Sequence, residues 1–263
     1  MKLNITVAFL VALLSEDVAV AAKTKSKTSR RAEANGKKVE PKFATETRKL
    51  YGEEFFEQRY VTIIGNEDVA FTGGFGSQGP EKLLGSVLYT SGGVYKEEDV
   101  VIRPRTAQGG KRFAGGKQPI KFPARRTNFF ITGECTTTSA GSDIEITGHT
   151  CFYTLCLGGG GNNCVNMYAG GPFLFTPAAS SQQGQTPALP PTFDGIIIGG
   201  VGAFAGISGF FQVETKAGRT SFNDLPQLGL IAQQFDLVTS MPLPEAPGPQ
   251  LAISNVAGDS LAN

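Results

Sequence analysis

The sequence predicts an all-β domain, an eight-stranded antiparallel closed barrel with disordered termini, and three observations carry that prediction. Eight short segments rich in Phe, Tyr, Ile, Val and Thr alternate with clusters of Gly, Pro, Asn and Ser, the pattern of strands and turns. No amphipathic helical periodicity lies between them. The composition agrees: 34 Gly, 19 Phe, no Trp and 18% charged residues in 263 are unlike a helical or coiled-coil protein, and the glycines lack the period of collagen. Closing the sheet hides the edges that eight antiparallel strands would expose, with a two-sheet sandwich as the alternative. The length is enough for one well-filled core.

The chain opens with Lys2, an apolar run from Ile5 to Leu14 and the small-residue pattern Ala19-Val20-Ala21, which reads as a signal peptide over residues 1–21. The run is too short to span a bilayer. Secretion into an extracellular compartment is the expectation, with no membrane anchor. Residues 22–58 read as a basic, disordered arm, since residues 23–49 hold ten Lys/Arg against three acids and show no apolar periodicity.

The barrel domain is expected over residues 59–240. Its strands are RYVTIIG (59–65), GSVLYTS (85–91), TNFFITGECTT (127–137), EITGHTCFYTLC (145–156), MYAGGPFLF (167–175), FDGIIIG (193–199), GISGFFQVET (206–215) and AQQFDLVT (232–239). A second basic block, residues 103–126, has eight Lys/Arg and no acid, and its Gly and Pro predict a long loop. Residues 177–191 read as another loop, and the Pro-rich residues 241–263 as an untethered tail. The formal net charge of +1 therefore averages strongly basic blocks and acidic ones.

Four cysteines, Cys135, Cys151, Cys156 and Cys164, lie within 30 residues, an even set that fits disulfides in an oxidising compartment. Three pairings are open to four cysteines. Cys135 and Cys151 stand symmetrically about the turn-like Ala140-Gly141-Ser142-Asp143, and Cys156 and Cys164 flank the loop LGGGGNN, so the expected bridges are 135–151 and 156–164. Each would contribute roughly 2–4 kcal/mol. Their spacing fits no C-x-x-C zinc framework, and no metal site is expected.

The most specific local sequence is IIIGGVGAFAGISGFFQVE, residues 196–214. A strand followed by a glycine-rich turn can cradle a pyrophosphate, but here the turn leads into another strand instead of a helix. A tight strand-to-strand corner is the expected structure. Gly199, Gly200, Gly202, Phe204, Gly206 and Gly209 in this stretch resemble the G-G-T-G-x-F-x-x-A-x-G segment near the C-terminus of dirigent proteins and the related allene oxide cyclase barrels. Gly133-Glu134-Cys135-Thr136-Thr137-Thr138-Ser139, then Cys151-Phe152-Tyr153-Thr154-Leu155 followed by Gly170-Gly171-Pro172-Phe173, fit the same family in order. Val201 replaces the usual Thr and Ser208 the common Ala, and the cysteines and the basic block are additions. The resemblance covers residues 127–215 and extends loosely back to residue 60. It implies an eight-stranded barrel with an apolar lumen, often in trimers, that steers phenoxy-radical coupling or folds a reactive epoxide into a ring, and a homotrimer or homodimer is the expected assembly. Either activity works by holding a reactive ligand in one conformation, without a cofactor.

The family's acting residues have no clear counterparts here, so no catalytic residue is carried over. Candidate ligand contacts come from strand alternation: if Cys135 bridges Cys151, Phe129, Ile131, His149, Tyr153 and Leu155 share their face and form the candidate lumen wall. His149 is the only histidine, which excludes a two-histidine metal site, and no G-x-S-x-G elbow accompanies it. Glu134, Glu145, Glu214 and Asp236 lie on expected strands, and solvent-facing positions are the expectation for them. The leading reading is a secreted barrel that binds a small apolar or phenolic ligand and directs its coupling or cyclisation, an isomerase-like or auxiliary role. The alternative is a non-catalytic extracellular protein of the same fold whose basic segments hold acidic polysaccharide. Phe113 and Phe122 interleave with Lys and Arg as in single-strand binders, but nucleic acid is not an expected partner of a secreted chain.

Overall fold

A computed structural model describes residues 49–50, 53–72, 83–142, 145–176, 185–221 and 227–248. The expected signal peptide, most of the basic arm and residues 249–263 of the tail lie outside the described residues. Twelve β-strands are described: β1 (Lys49–Leu50), β2 (Glu53–Glu54), β3 (Phe56–Thr72), β4 (Val87–Tyr95), β5 (Val101–Thr106), β6 (Arg112–Lys121), β7 (Phe129–Ala140), β8 (Ile146–Leu157), β9 (Cys164–Phe175), β10 (Phe193–Val201), β11 (Gly209–Ala217) and β12 (Ile231–Thr239). Eight of them close an antiparallel barrel in the order β10-β11-β12-β3-β4-β7-β8-β9. These are the eight segments expected from the sequence.

Closure depends on β12 meeting β3, with nine residue pairs running from Ile231↔Ile64 to Thr239↔Phe56. β3 is longer than its expected segment because a register irregularity between Ile64 and Val69 carries it through the turn-like Gly65-Asn66-Glu67-Asp68. β1 and β2 form a separate two-stranded pair, so the segment expected as a disordered arm to residue 58 contains short strands at its end and β3 from Phe56.

The basic block does not form the expected loop. β5 and β6 pair as a two-stranded ribbon outside the barrel. Its Gly and Pro residues are compatible with this because Gly109 and Gly110 make the turn, while Gly115 and Gly116 fall where the register shifts between Pro104 and Thr106. Pro104 and Pro119 are tolerated in a ribbon of only two strands, each with one edge unpaired. The ribbon is anchored by Gln118, which is buried: its amide donates to the Gly218 carbonyl (2.7 Å) and the Leu230 carbonyl (3.2 Å) and accepts from the Leu230 N–H (2.8 Å). Val100 and Ile102 pack with Val61, Ile63, Tyr95, Ala217 and Ala232 in a small apolar cluster.

Residues 241–248 also depart from expectation. They dock on the barrel: Leu243 and Ala246 are buried in the main core, the Tyr60 hydroxyl donates to the Pro244 carbonyl, and Arg126 donates to the Gly248 carbonyl (2.8 Å). Two apolar side chains that find a place at the barrel end outweigh a Pro-rich composition.

Both expected disulfides are present, Cys135–Cys151 and Cys156–Cys164. Each joins residues directly opposite in register, on β7 and β8 and on β8 and β9. Three consecutive barrel strands are thereby covalently linked.

Candidate functional site

The lumen divides along the barrel axis. In one half Tyr60, Leu155, Met167, Phe211, Phe235 and Leu237 are buried and fill the interior. Phe204 and Ile207, from the corner after β10, close this half together with Leu243. That corner is the glycine-rich motif: β10 ends at Val201, a single 3-10 turn covers Gly202–Phe204, and β11 begins at Gly209. Gly202 holds φ +64, and a Cβ there would run into Asn162 and Asn163. Asn163 also accepts a hydrogen bond from the Ala203 N–H (3.0 Å). The motif is thus a strand corner, and Gly199, Gly200, Gly202, Phe204, Gly206 and Gly209 belong to the barrel's closed end.

The other half holds a cavity of about 130 Å³. A single water needs only about 10–15 Å³ on this measure, so the space suits a small organic molecule. Its wall combines Phe71, Phe173, Phe175 and Phe193 with Leu88, Ile146 and the Cys135–Cys151 bridge, and adds the hydroxyls of Ser86, Thr90, Thr137 and Thr215. No Asp, Glu, Lys or Arg is among the lining residues. A charged ligand would lose its hydration there without a counter-ion, so the wall favours a neutral one.

Two titratable groups reach the cavity. His149, on β8 opposite Thr137 and Gly171, is 6% exposed. Its ring lies 3.9 Å from that of Phe173 and 4.8 Å from that of Phe193, centroid to centroid, in edge-on geometry. Neither imidazole nitrogen has a hydrogen-bond partner among the described residues. Burial pushes its pKa down from 6.5 to about 4, so the ring is neutral at physiological pH, with one N–H to donate and one lone pair to accept. Tyr153 lies at the boundary of the two halves. Gly133, opposite it on β7, leaves room for the ring, which meets Phe235 edge-on at 5.3 Å. The Tyr153 hydroxyl donates to Cys135 Sγ (3.3 Å), and burial raises its pKa, keeping the phenol protonated.

The five residues placed on the candidate wall therefore separate. His149 and Tyr153 line the cavity. Phe129, Ile131 and Leu155 share the inward face but belong to the packed half. Glu134, Glu145, Glu214 and Asp236 are absent from the lining; Glu214 pairs with Lys216 and Asp236 with Arg59 on the outside. Sequence reasoning missed Phe71, Leu88, Phe175 and Phe193 as wall residues. A usable signal was present: Phe173 and Phe175 alternate on one strand, the period of a single face.

An all-β closed barrel with one neutral, aromatic-walled chamber is the class that fold and site define. Among solved structures, the chain is similar to two pterocarpan synthase dirigent proteins. With GePTS1 it shares 14% identity over 71% of this chain and 90% of that one, at a TM-score of 0.41. With PsPTS1 the values are 14%, 73%, 97% and 0.38. The likeness is one of fold. No family model matches the chain, and no curated protein does.

Proposed function

We propose that the barrel binds a small, neutral, apolar or phenolic molecule in the chamber around His149 and steers its coupling or cyclisation by fixing its conformation. The observation that carries the reading is a neutral imidazole that, among the described residues, has no hydrogen-bond partner, set between two phenylalanine rings in a cavity that no described charged residue lines. A buried polar group without a partner is costly, and a ligand hydroxyl or carbonyl would relieve that cost. Aromatic walls hold a planar ligand by offset or edge-on contact. The work asked of the protein is then positional: it excludes water and restricts the faces at which a reactive ligand can bond. The resemblance of residues 127–215 to dirigent and allene oxide cyclase barrels supports the steering role.

The experiment supplies oxidatively generated phenoxy radicals, and separately an unstable allene oxide, to the protein and measures product chirality. An enantiomeric excess that disappears in His149→Leu supports the reading. Racemic products from both, with no binding of a neutral phenol by calorimetry, overturn it.

The reading extends to assembly and address. Phe152, Tyr168, Ile196, Phe210 and Val238 stand in one cross-strand row over β8 to β12 on the outer face, with Phe152, Ile196 and Phe210 at 54%, 47% and 61% exposure. Such a row supports self-association as a homotrimer or homodimer. Light scattering tests it: Phe210→Lys lowers the assembly mass, and a monomeric parent chain overturns it. The two cystines support an oxidising, extracellular destination.

A further inference from the structure

The basic ribbon separates its cations into two groups. Arg125 is bound to Asp68 (2.9 Å) and Ser91 (2.7 Å), and Arg126 to the Gly248 carbonyl (2.8 Å), so these two tie the ribbon's end to the barrel. The other six, Arg103, Arg105, Lys111, Arg112, Lys117 and Lys121, are exposed or half-exposed and form no ion pair among the described residues. No acid occurs between Val100 and Gly133 to neutralise them. Six cations without ion pairs among the described residues repel one another on one two-stranded ribbon, and such a surface attracts anions.

The ribbon is also fixed in place. Besides the Gln118 contacts, Phe113 is 6% exposed, Ala114 exchanges backbone hydrogen bonds with Arg219 and Gly218, and Phe122 packs edge-on against Tyr95 at 5.9 Å. This burial decides between polyanions. With Phe113 buried and Phe122 held edge-on by Tyr95, the ribbon presents one partly exposed ring instead of the row of aromatic faces on which successive bases stack. Among its large apolar side chains only Ile120 and Phe122 are exposed, at 48% and 38%, too little for an amphipathic face that enters a bilayer. What remains is charge spread along the pairing from Val101↔Lys121 to Thr106↔Arg112, about 20 Å of strand. A compact anion would reach one or two of these groups, whereas an extended chain of carboxylates can follow a row of them along the ribbon.

We propose that the β5–β6 ribbon is a binding site for a linear acidic polysaccharide, held by charge along the ribbon. The site is distinct from the chamber: no residue of β5 or β6 is among those that line it.

The test uses the full chain on immobilised polygalacturonate. One variant carries Arg103→Gln, Arg105→Gln, Lys117→Gln and Lys121→Gln; a second loses the same charge from the N-terminal segment by Lys23→Gln, Lys25→Gln, Lys27→Gln and Arg30→Gln. The ribbon variant is expected to bind roughly tenfold more weakly at low salt, with a shallower dependence of affinity on salt, while the second variant changes less. An unchanged thermal midpoint shows that the ribbon variant is folded. Equal losses in the two variants, which would reflect net charge alone, overturn the proposal, as does parent-like binding by the ribbon variant. Tighter ribbon-dependent binding to a single-stranded oligonucleotide or to anionic phospholipid vesicles overturns the choice of partner.

Discussion

The two halves of the lumen are built from the same eight strands and filled in opposite ways. The packed half uses large side chains that interlock, with Phe211 stacked on Phe235 at 6.4 Å and Tyr153 set against both. It is also closed by its own chain, through Phe204, Ile207 and Leu243. The cavity half spends several inward positions on Ser and Thr and leaves its histidine without a hydrogen-bond partner among the described residues. The packing contrast predicts that stability concentrates in the filled half, while the other keeps an open chamber.

Four variants sharpen or break that contrast. The largest effect is expected from Phe235→Ala, which empties the centre of the packed half and should cost about 3–5 kcal/mol in denaturant unfolding. A loss under about 1 kcal/mol would mean that this half is not the stabilising one. Next is Cys135→Ser with Cys151→Ser, which opens a bridge of sequence separation 16 and should cost about 2–4 kcal/mol while also changing the cavity wall. The third concerns acid. The unfolded chain protonates His149 near 6.5 and the folded chain only near pH 4, so folding stability should fall as pH drops through that window, by on the order of 2 kcal/mol, and His149 should add no further dependence above it. Unfolding curves of the parent chain and His149→Phe at pH 7.5 and 4.5 check this: the substitution should remove that part of the acid sensitivity. The smallest effect on stability is expected at Phe193→Leu in the cavity wall, about 1 kcal/mol, with a several-fold change in affinity for a neutral phenol. An equal or greater stability loss than at Phe235 would erase the distinction between the halves.

The barrel was legible in the sequence because strand signals are local. Residues such as Phe129 to Thr137 and Ile146 to Cys156 announce themselves by β-branched and aromatic content, and the symmetric cysteines set their register. The ribbon is not legible, because glycine and proline signal a loop by composition while here they occupy its turn and register shift. Residues 241–248 are hidden for a related reason: composition says how little a tail can bury, not that Leu243 finds a place at the barrel end. Within the site, alternation identified the inward face of β7 and β8 correctly, yet gave no depth along the axis. Phe129 and His149 share that face and lie in different halves. Depth depends on stagger between strands and on which end the chain itself closes, and both are long-range properties.

The pairing of β12 with β3 sets a timetable for synthesis. Arg59 must wait for Asp236, 177 residues later, before the edge of β3 can be covered. At about 5–20 residues per second the ribosome leaves that edge unpaired for roughly 9–35 s, far longer than a hairpin takes to form. β7, β8 and β9 can assemble and be cross-linked in that interval, so the covalently joined strands stand ready before closure. An emergent strand as apolar as Tyr60 to Ile64 is then open to mispairing, and changes at this seam should lower the yield in expression.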